Sequence, residues 1–492
     1  MSLTDLPVEL FDLILNDLCF SDYKSLRLVG LSKFTKTLIS RLFKDYHINF
    51  DVNCLANLSQ ASQIESIAAS IRTLQLDTRI IDESLTREAY ESRLDLRPKY
   101  TTWCKKQTAA DAQPMHPWEQ SRISAELQKA YARLDRKGGL STDELKAGFD
   151  AHQAYQQSQL QWNENHDREL QQALARLPKL RFVSADNFVL REAIELPPVW
   201  QRVMSKTLLR HRLSPLFDEE SKTHYENKAL DTKPVASLVR ALDYRSSVAG
   251  NEALRELRVE IPWTWDLFGT GGFIDAPSDT SIDTFQSFAG LKSLKVMCRC
   301  LDDDDAWDDV SHLIPRQTAL MKELGQMLMA SKALVDLTLA VNPSSRSFKT
   351  WDFLNWMGNP RLSTVETLDL LLPMKGATLL DCLARSSVKS LRLVDCVLIN
   401  EESCNTWREV INRLHQVISL KSYYFEGLWD HEAENIQPTK NWFDYGLSES
   451  AERNKDVYSR EYSTAVRHAI MDGVSLQSLV EPEPMVYDRR YQ

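Results

Sequence analysis

The feature that most constrains this chain is a short apolar pattern, LxxLxL, that keeps returning along it. It occurs as Ile71-Arg-Thr-Leu74-Gln-Leu76, Leu177-Pro-Lys-Leu180-Arg-Phe182 and Leu254-Arg-Glu-Leu257-Arg-Val259. It returns as Leu291-Lys-Ser-Leu294-Lys-Val296, Leu334-Val-Asp-Leu337-Thr-Leu339, Val365-Glu-Thr-Leu368-Asp-Leu370 and Val388-Lys-Ser-Leu391-Arg-Leu393. A weaker copy is Val417-Ile-Ser-Leu420-Lys-Ser422. The last two apolar positions of each copy alternate as a strand with one buried face requires, so they should point inward. The residue between them (Arg258, Lys295, Thr338, Asp369 or Arg392) should then line the other face. Helix-like stretches precede several copies, at 167–175, 234–242, 320–330 and 406–414. A helix followed by a short strand, repeated, is a stacked-repeat pattern in which each unit buries its apolar face on its neighbour. An ordinary α/β domain with parallel strands also produces LxxLxL, and periodicity alone does not separate the two.

Ahead of the repeats, LPVELFDLILNDL places Leu6, Leu10, Leu13, Ile14 and Leu18 on one helical face. Pro7 suits the first helical position and Glu9 complements the helix dipole. Phe11 and Leu15 widen the apolar surface, which implies two buried sides. Asp5, Glu9, Asp12 and Asp17 interrupt the run and the first basic residue is Lys24, so it does not read as a secretion signal. Two further short helices follow, one with Leu26 and Val29, the next with Phe34, Leu38, Leu42 and Phe43. Three short helices bury little by themselves, so this unit calls for a partner or for packing on its own chain.

The order Leu6-Pro7-x-Glu9-Leu10-Phe11-x-x-Ile14-Leu15-x-x-Leu18, then Asp22 and Leu26-Arg27-Leu28-Val29, resembles the F-box motif across residues 3–46. Gly30 and Phe34 depart from the family pattern, standing where a cysteine and a tryptophan are common. With the repeats behind it, the chain resembles F-box proteins with degenerate leucine-rich repeats, of the kind common in filamentous fungi. The copy at 388 extends to Cys396 as LxxLxLxxC, but three of the five spacings from 254 onward (37, 43 and 31 residues, against 23 and 29) are longer than the roughly 20–29 of regular repeats.

The resemblance implies an α/β chain: a three-helix F-box, then an irregular leucine-rich-repeat solenoid with a helical insertion. The expected boundaries are an F-box at 1–50, a first repeat at 51–84, the insertion at 85–170, repeats at 171–440, and a C-terminal cap and tail at 441–492. It implies that Leu6, Pro7, Leu10, Phe11, Ile14, Leu15, Leu18, Leu26 and Val29 dock on a Skp-type adaptor, and through it a cullin. The repeats would bind an unidentified protein substrate for ubiquitination. The alternative is a non-proteolytic interaction or scaffold role. Trp263 and Trp265, expected in a loop just past a strand, are the candidate substrate contacts.

Composition narrows the remaining classes. A formal charge of −10, with no basic block in the sequence, argues against nucleic acid as the main partner. No apolar run reaches the roughly 18 residues of a membrane span. The eight cysteines, scattered apart from Cys298 and Cys300, show no zinc spacing and read as reduced thiols of a cytoplasmic or nuclear protein. LDRKGGLSTDELK lacks the calcium ligands of an EF-hand, Gly269–Gly272 lacks a phosphate-loop lysine, and Asp302–Asp305 reads as a solvated loop. No catalytic constellation appears, so neither enzymatic activity nor a cofactor or metal is expected.

Overall fold

The structure is a computed structural model. It describes residues 35–77, 87, 142–186, 233–263, 288–300, 324–341, 352–357, 362–394, 396–399, 406–431, 438–442, 447–448 and 466–471. The residues expected to meet the adaptor, Leu6 through Val29, lie outside these, as does Trp265.

The fold is α/β, built on a large parallel sheet. Its strands are β1 (Asp45–Asn49), β2 (Thr73–Asp77), β3 (Phe182–Asp186), β4 (Glu256–Trp263), β5 (Ser293–Cys300), β6 (Asp336–Val341), β7 (Thr367–Leu371), β9 (Ser390–Val394), β11 (Ser422–Glu426) and β14 (Leu447–Ser448). They lie side by side in that order as one ten-stranded sheet. Every neighbouring pair is parallel except β11 with β14. A second sheet, ordered β13-β12-β10-β8, is formed by β8 (Pro373–Lys375), β10 (Val397–Ile399), β12 (Leu428–His431) and β13 (Pro438–Trp442). β8, β10 and β12 each follow a strand of the main sheet within two residues, so the chain turns a corner after β7, β9 and β11. Gly427 makes the last of these corners at φ 58°, a conformation that costs a side-chain-bearing residue about 1–2 kcal/mol.

The strands carry one in-register apolar stripe. Leu74, Val183, Leu257, Leu294, Leu337, Leu368, Leu391 and Tyr423 align across the sheet and are all buried. So are Leu76, Ala185, Val259, Val296, Leu339, Leu370, Leu393 and Phe425 two positions later. Each of these larger side chains gains about 1.5–3 kcal/mol from leaving water. Six of the eight LxxLxL copies coincide with this stripe as expected. The other two are corrected. In register, Leu180-x-x-Val183-x-Ala185 replaces the copy at 177, and Leu420-x-x-Tyr423-x-Phe425 replaces the copy at 417. In both, an apolar residue three positions upstream, Leu177 or Val417, completed a false match at the end of the preceding helical turn. β1 is a strand that the pattern did not reveal, because only Tyr46 and Ile48 mark it.

Helices cover the apolar side. They include α1 (Thr35–Leu42), α2 (Val52–Gln63), α3 (Thr142–Leu160), α4 (Glu164–Ala175), α5 (Lys233–Ser246), α6 (Gly376–Ala384) and α7 (Trp407–Val417). α2, α4 and α5 pack in sequence along one half of the sheet, and α6 against α7 along the other. Leu38 and Leu42 of α1 are buried. α3 ends at Leu160 and Asn163 starts the next helix: its side chain accepts the Asn165 N–H at 3.0 Å and caps α4. Thr406 and Glu409 form a reciprocal capping box on α7. Asp51 caps α2 through the N–H groups of Asn53 and Cys54 and also accepts from Ser158 Oγ at 3.2 Å, which ties α3 to the start of α2.

Polar links hold successive units together. Trp162 stacks on Phe50 with ring centroids 4.1 Å apart and donates its indole N–H to Asp167 at 2.7 Å. Asp167 also pairs with Arg240 at 3.2 Å. Arg245, only 2% exposed, donates to the carbonyls of Leu177, Pro178 and Glu252.

Candidate protein-binding face

Alternation leaves the opposite face of the sheet to residues that, Phe182 apart, are polar. Two rows run across it. The central row, in strand register, reads Gln75, Ser184, Arg258, Lys295, Thr338, Asp369, Arg392 and Tyr424. The row two residues earlier reads Thr73, Phe182, Glu256, Ser293, Asp336, Thr367, Ser390 and Ser422. All of these side chains are exposed or half-buried. Arg258, Lys295, Thr338, Asp369 and Arg392 therefore stand on the face that alternation assigned to them.

From β4 to β11 the two rows line a trough of about 540 Å³. Its floor holds five Ser and Thr hydroxyls, those of Ser293, Thr338, Thr367, Ser390 and Ser422, beside five charged side chains. A hydroxyl both donates and accepts, so such a floor suits peptide groups, which carry one donor and one acceptor each. Ser422 Oγ and Ser390 Oγ are hydrogen-bonded at 2.8 Å. Charge is mixed, with Lys295 on β5 and Glu256 and Asp336 on the strands to either side.

At the β9–β11 end the side chains are already ordered by one another. Arg392 pairs with Asp369 at 3.0 Å and its guanidinium lies 5.2 Å from the centroid of the Tyr424 ring. Tyr424 donates its hydroxyl to Glu426 at 2.7 Å. Burial and that carboxylate push the Tyr424 phenol up to about 12, so it stays a neutral donor. This end is an aromatic and charged cluster whose side chains hold one another in place.

Comparison with protein-family models finds no match, and comparison with curated proteins finds no significant similarity.

Trp263 is not in a loop: it is the last residue of β4 and pairs in register with Cys300 of β5. The strand runs four residues past the LxxLxL copy because β5 extends alongside it, and the tryptophan is carried into the ladder. Cys298 and Cys300 both lie on β5. Tyr424 and Glu426 are not among the sequence candidates, because the copy at 417 lies three residues out of register; the alternation Tyr423, Phe425 is the signal that places them. Burial pushes the thiols of Cys54 and Cys382 up to about 12, which makes both poor nucleophiles and metal ligands. Among the described residues no cluster of three His, Cys, Asp or Glu could hold a metal ion, and no helix is long and apolar enough to cross a membrane.

Proposed function

We propose that this chain is the substrate-recognition subunit of a Skp–cullin–F-box ubiquitin ligase. Residues 6–29 dock the adaptor, and the sheet is the inner wall of an irregular leucine-rich-repeat solenoid whose polar face receives a protein substrate. The observation that carries the second half is the strand order. From β1 to β11 the strands follow the sequence without a reversal. An open α/β enzyme binds its ligand at the crevice where strand order reverses, and this stretch of sheet has no such point. It offers instead a long, uninterrupted row of polar side chains, the form of surface that stacked repeats present to proteins. The first half rests on the sequence resemblance. Leucine-rich helix faces bind in partner grooves, and about four to six buried anchors supply enough transfer energy for a stable complex. Ubiquitin transfer belongs to other subunits in this reading, so the chain itself is not an enzyme and needs no cofactor.

The test is affinity purification of the full chain beside a Leu10→Asp, Ile14→Asp double variant. The adaptor and a cullin are expected with the first and not with the second. An unmodified chain that recovers no adaptor overturns the F-box reading. If a recovered client has the same half-life after deletion of residues 1–46, the proteolytic role is overturned and the scaffold role takes its place.

A further inference from the structure

We infer that the rim where the strands of the main sheet begin is a docking rail for an acidic polypeptide segment of a partner protein. In five consecutive units the residue just ahead of the strand's first rung is basic: Lys44, Arg72, Arg181, Arg255 and Lys292. A continuous backbone ladder fixes their order. Arg72 N–H donates to Lys44 O at 2.9 Å, Arg181 to Arg72 at 2.9 Å, Arg255 to Arg181 at 2.8 Å and Lys292 to Arg255 at 2.8 Å. Adjacent strands stand about 4.8 Å apart, so five side chains scattered over some 250 residues of sequence form one line about 19 Å long.

Lys44, Arg72, Arg255 and Lys292 are exposed. Arg181 is half-buried and ion-paired with Glu252, which also feels the charge of Arg255. Beyond β5 the line is broken by Val335 and Glu366, and Glu366 engages Lys389. The rail is thus a local stretch of β1 to β5, in a chain whose net charge is −10.

The geometry favours a peptide. Alternate side chains of an extended chain recur about every 6.6 Å, and the long stems of Lys, Arg and Glu absorb the difference from the strand spacing. Asp45 and Glu256 sit one residue inward of the rail. They set a carboxylate close to any ligand there, which a polypeptide of mixed charge can meet with its own donors and a phosphodiester backbone cannot. An acidic body also opposes a polyanion that carries a phosphate at every step. The inference deepens the receptor reading by naming the partner's chemistry. It concerns residues 44–292, whereas the adaptor test concerns residues 6–29, so either can fail without the other.

The experiment is fluorescence anisotropy of the full chain with a labelled peptide of about twelve residues, half of them Glu, and with a labelled single-stranded oligothymidine of similar length. The variant carries Lys44→Glu, Arg72→Glu, Arg255→Glu and Lys292→Glu, with Arg168→Glu on the solvent face of α4 as control. The expected result is peptide binding that weakens at least about tenfold in the fourfold variant, is unchanged in the control, and falls as salt rises from about 50 to about 200 mM. Circular dichroism reports folding, and replacing the same four residues with Gln serves if the reversed charges unfold the chain. No peptide binding by the unmodified chain, equal binding by the fourfold variant, or tighter binding of the oligonucleotide than of the peptide each overturns the inference.

Discussion

Replacing Arg245 by Met should loosen the junction between the units of β3 and β4 by about 2–3 kcal/mol. The guanidinium is buried in the last turn of α5, where a cation also complements the helix dipole. It reaches Leu177 O at 3.0 Å through Nη2 and at 3.2 Å through Nε, Pro178 O at 3.3 Å, and Glu252 O at 2.9 Å through Nη1. Leu177 O also accepts from Leu180 N–H at 3.3 Å, and Pro178 O from Glu252 N–H at 2.8 Å, so those two carbonyls keep a partner in the variant. Glu252 O loses its donor. Hydrogen bonds to a charged group are worth about 1.5–3 kcal/mol each, and a buried carbonyl left unmade costs about 1–3 kcal/mol. Against this stands relief from burying a cation, a burden visible in the Arg245 guanidinium being pushed down to about 10. Met keeps the unbranched stem, so lost packing adds little. The assay is native-state hydrogen exchange at the amides of Arg181, Glu252 and Arg255, which close the junction. They should exchange about 30- to 150-fold faster in the variant, with amides of α7 unchanged. Arg245→Lys should fall between, since one ammonium cannot span three carbonyls. Exchange at the three amides within about twofold of the unmodified chain would refute the argument that Arg245 staples these turns.

Two further outcomes follow from single sites. Gly427→Ala should lower stability by about 1–2 kcal/mol, read as a shift of the urea midpoint, because φ 58° is left-handed backbone; an unchanged midpoint would mean that the corner relaxes freely. Burial lowers the pKa of His47, more than nearby Asp45 raises it, so the folded chain holds His47 neutral where the unfolded chain would protonate it. Its contribution is therefore whole above about pH 6.5 and is lost as pH falls toward the depressed folded value. His47→Gln should flatten the decline in thermal midpoint between about pH 7 and pH 5, and an unchanged slope would place the titration elsewhere.

The stripe that makes the sheet was legible in LxxLxL because strand alternation is local: neighbouring side chains must point to opposite faces whatever lies beside them. That same rule placed Arg258, Lys295, Thr338, Asp369 and Arg392 on the open face. It failed at Leu177 and Val417, where an apolar residue of the preceding turn fell at the motif's spacing, and at Trp263, where the length of β4 depends on how far β5 runs beside it. Register is a property of two strands, not of one.

The sequence by itself determined an α/β chain whose strands have one apolar and one polar face, since these follow from periods of two and about 3.6 within single segments. Only the tertiary structure decided which polar residues are neighbours. Read along the chain, Lys44, Arg72, Arg181, Arg255 and Lys292 form no basic block. The parallel ladder sets them about 4.8 Å apart, because lateral hydrogen bonding fixes strand spacing regardless of how many residues each connection contains.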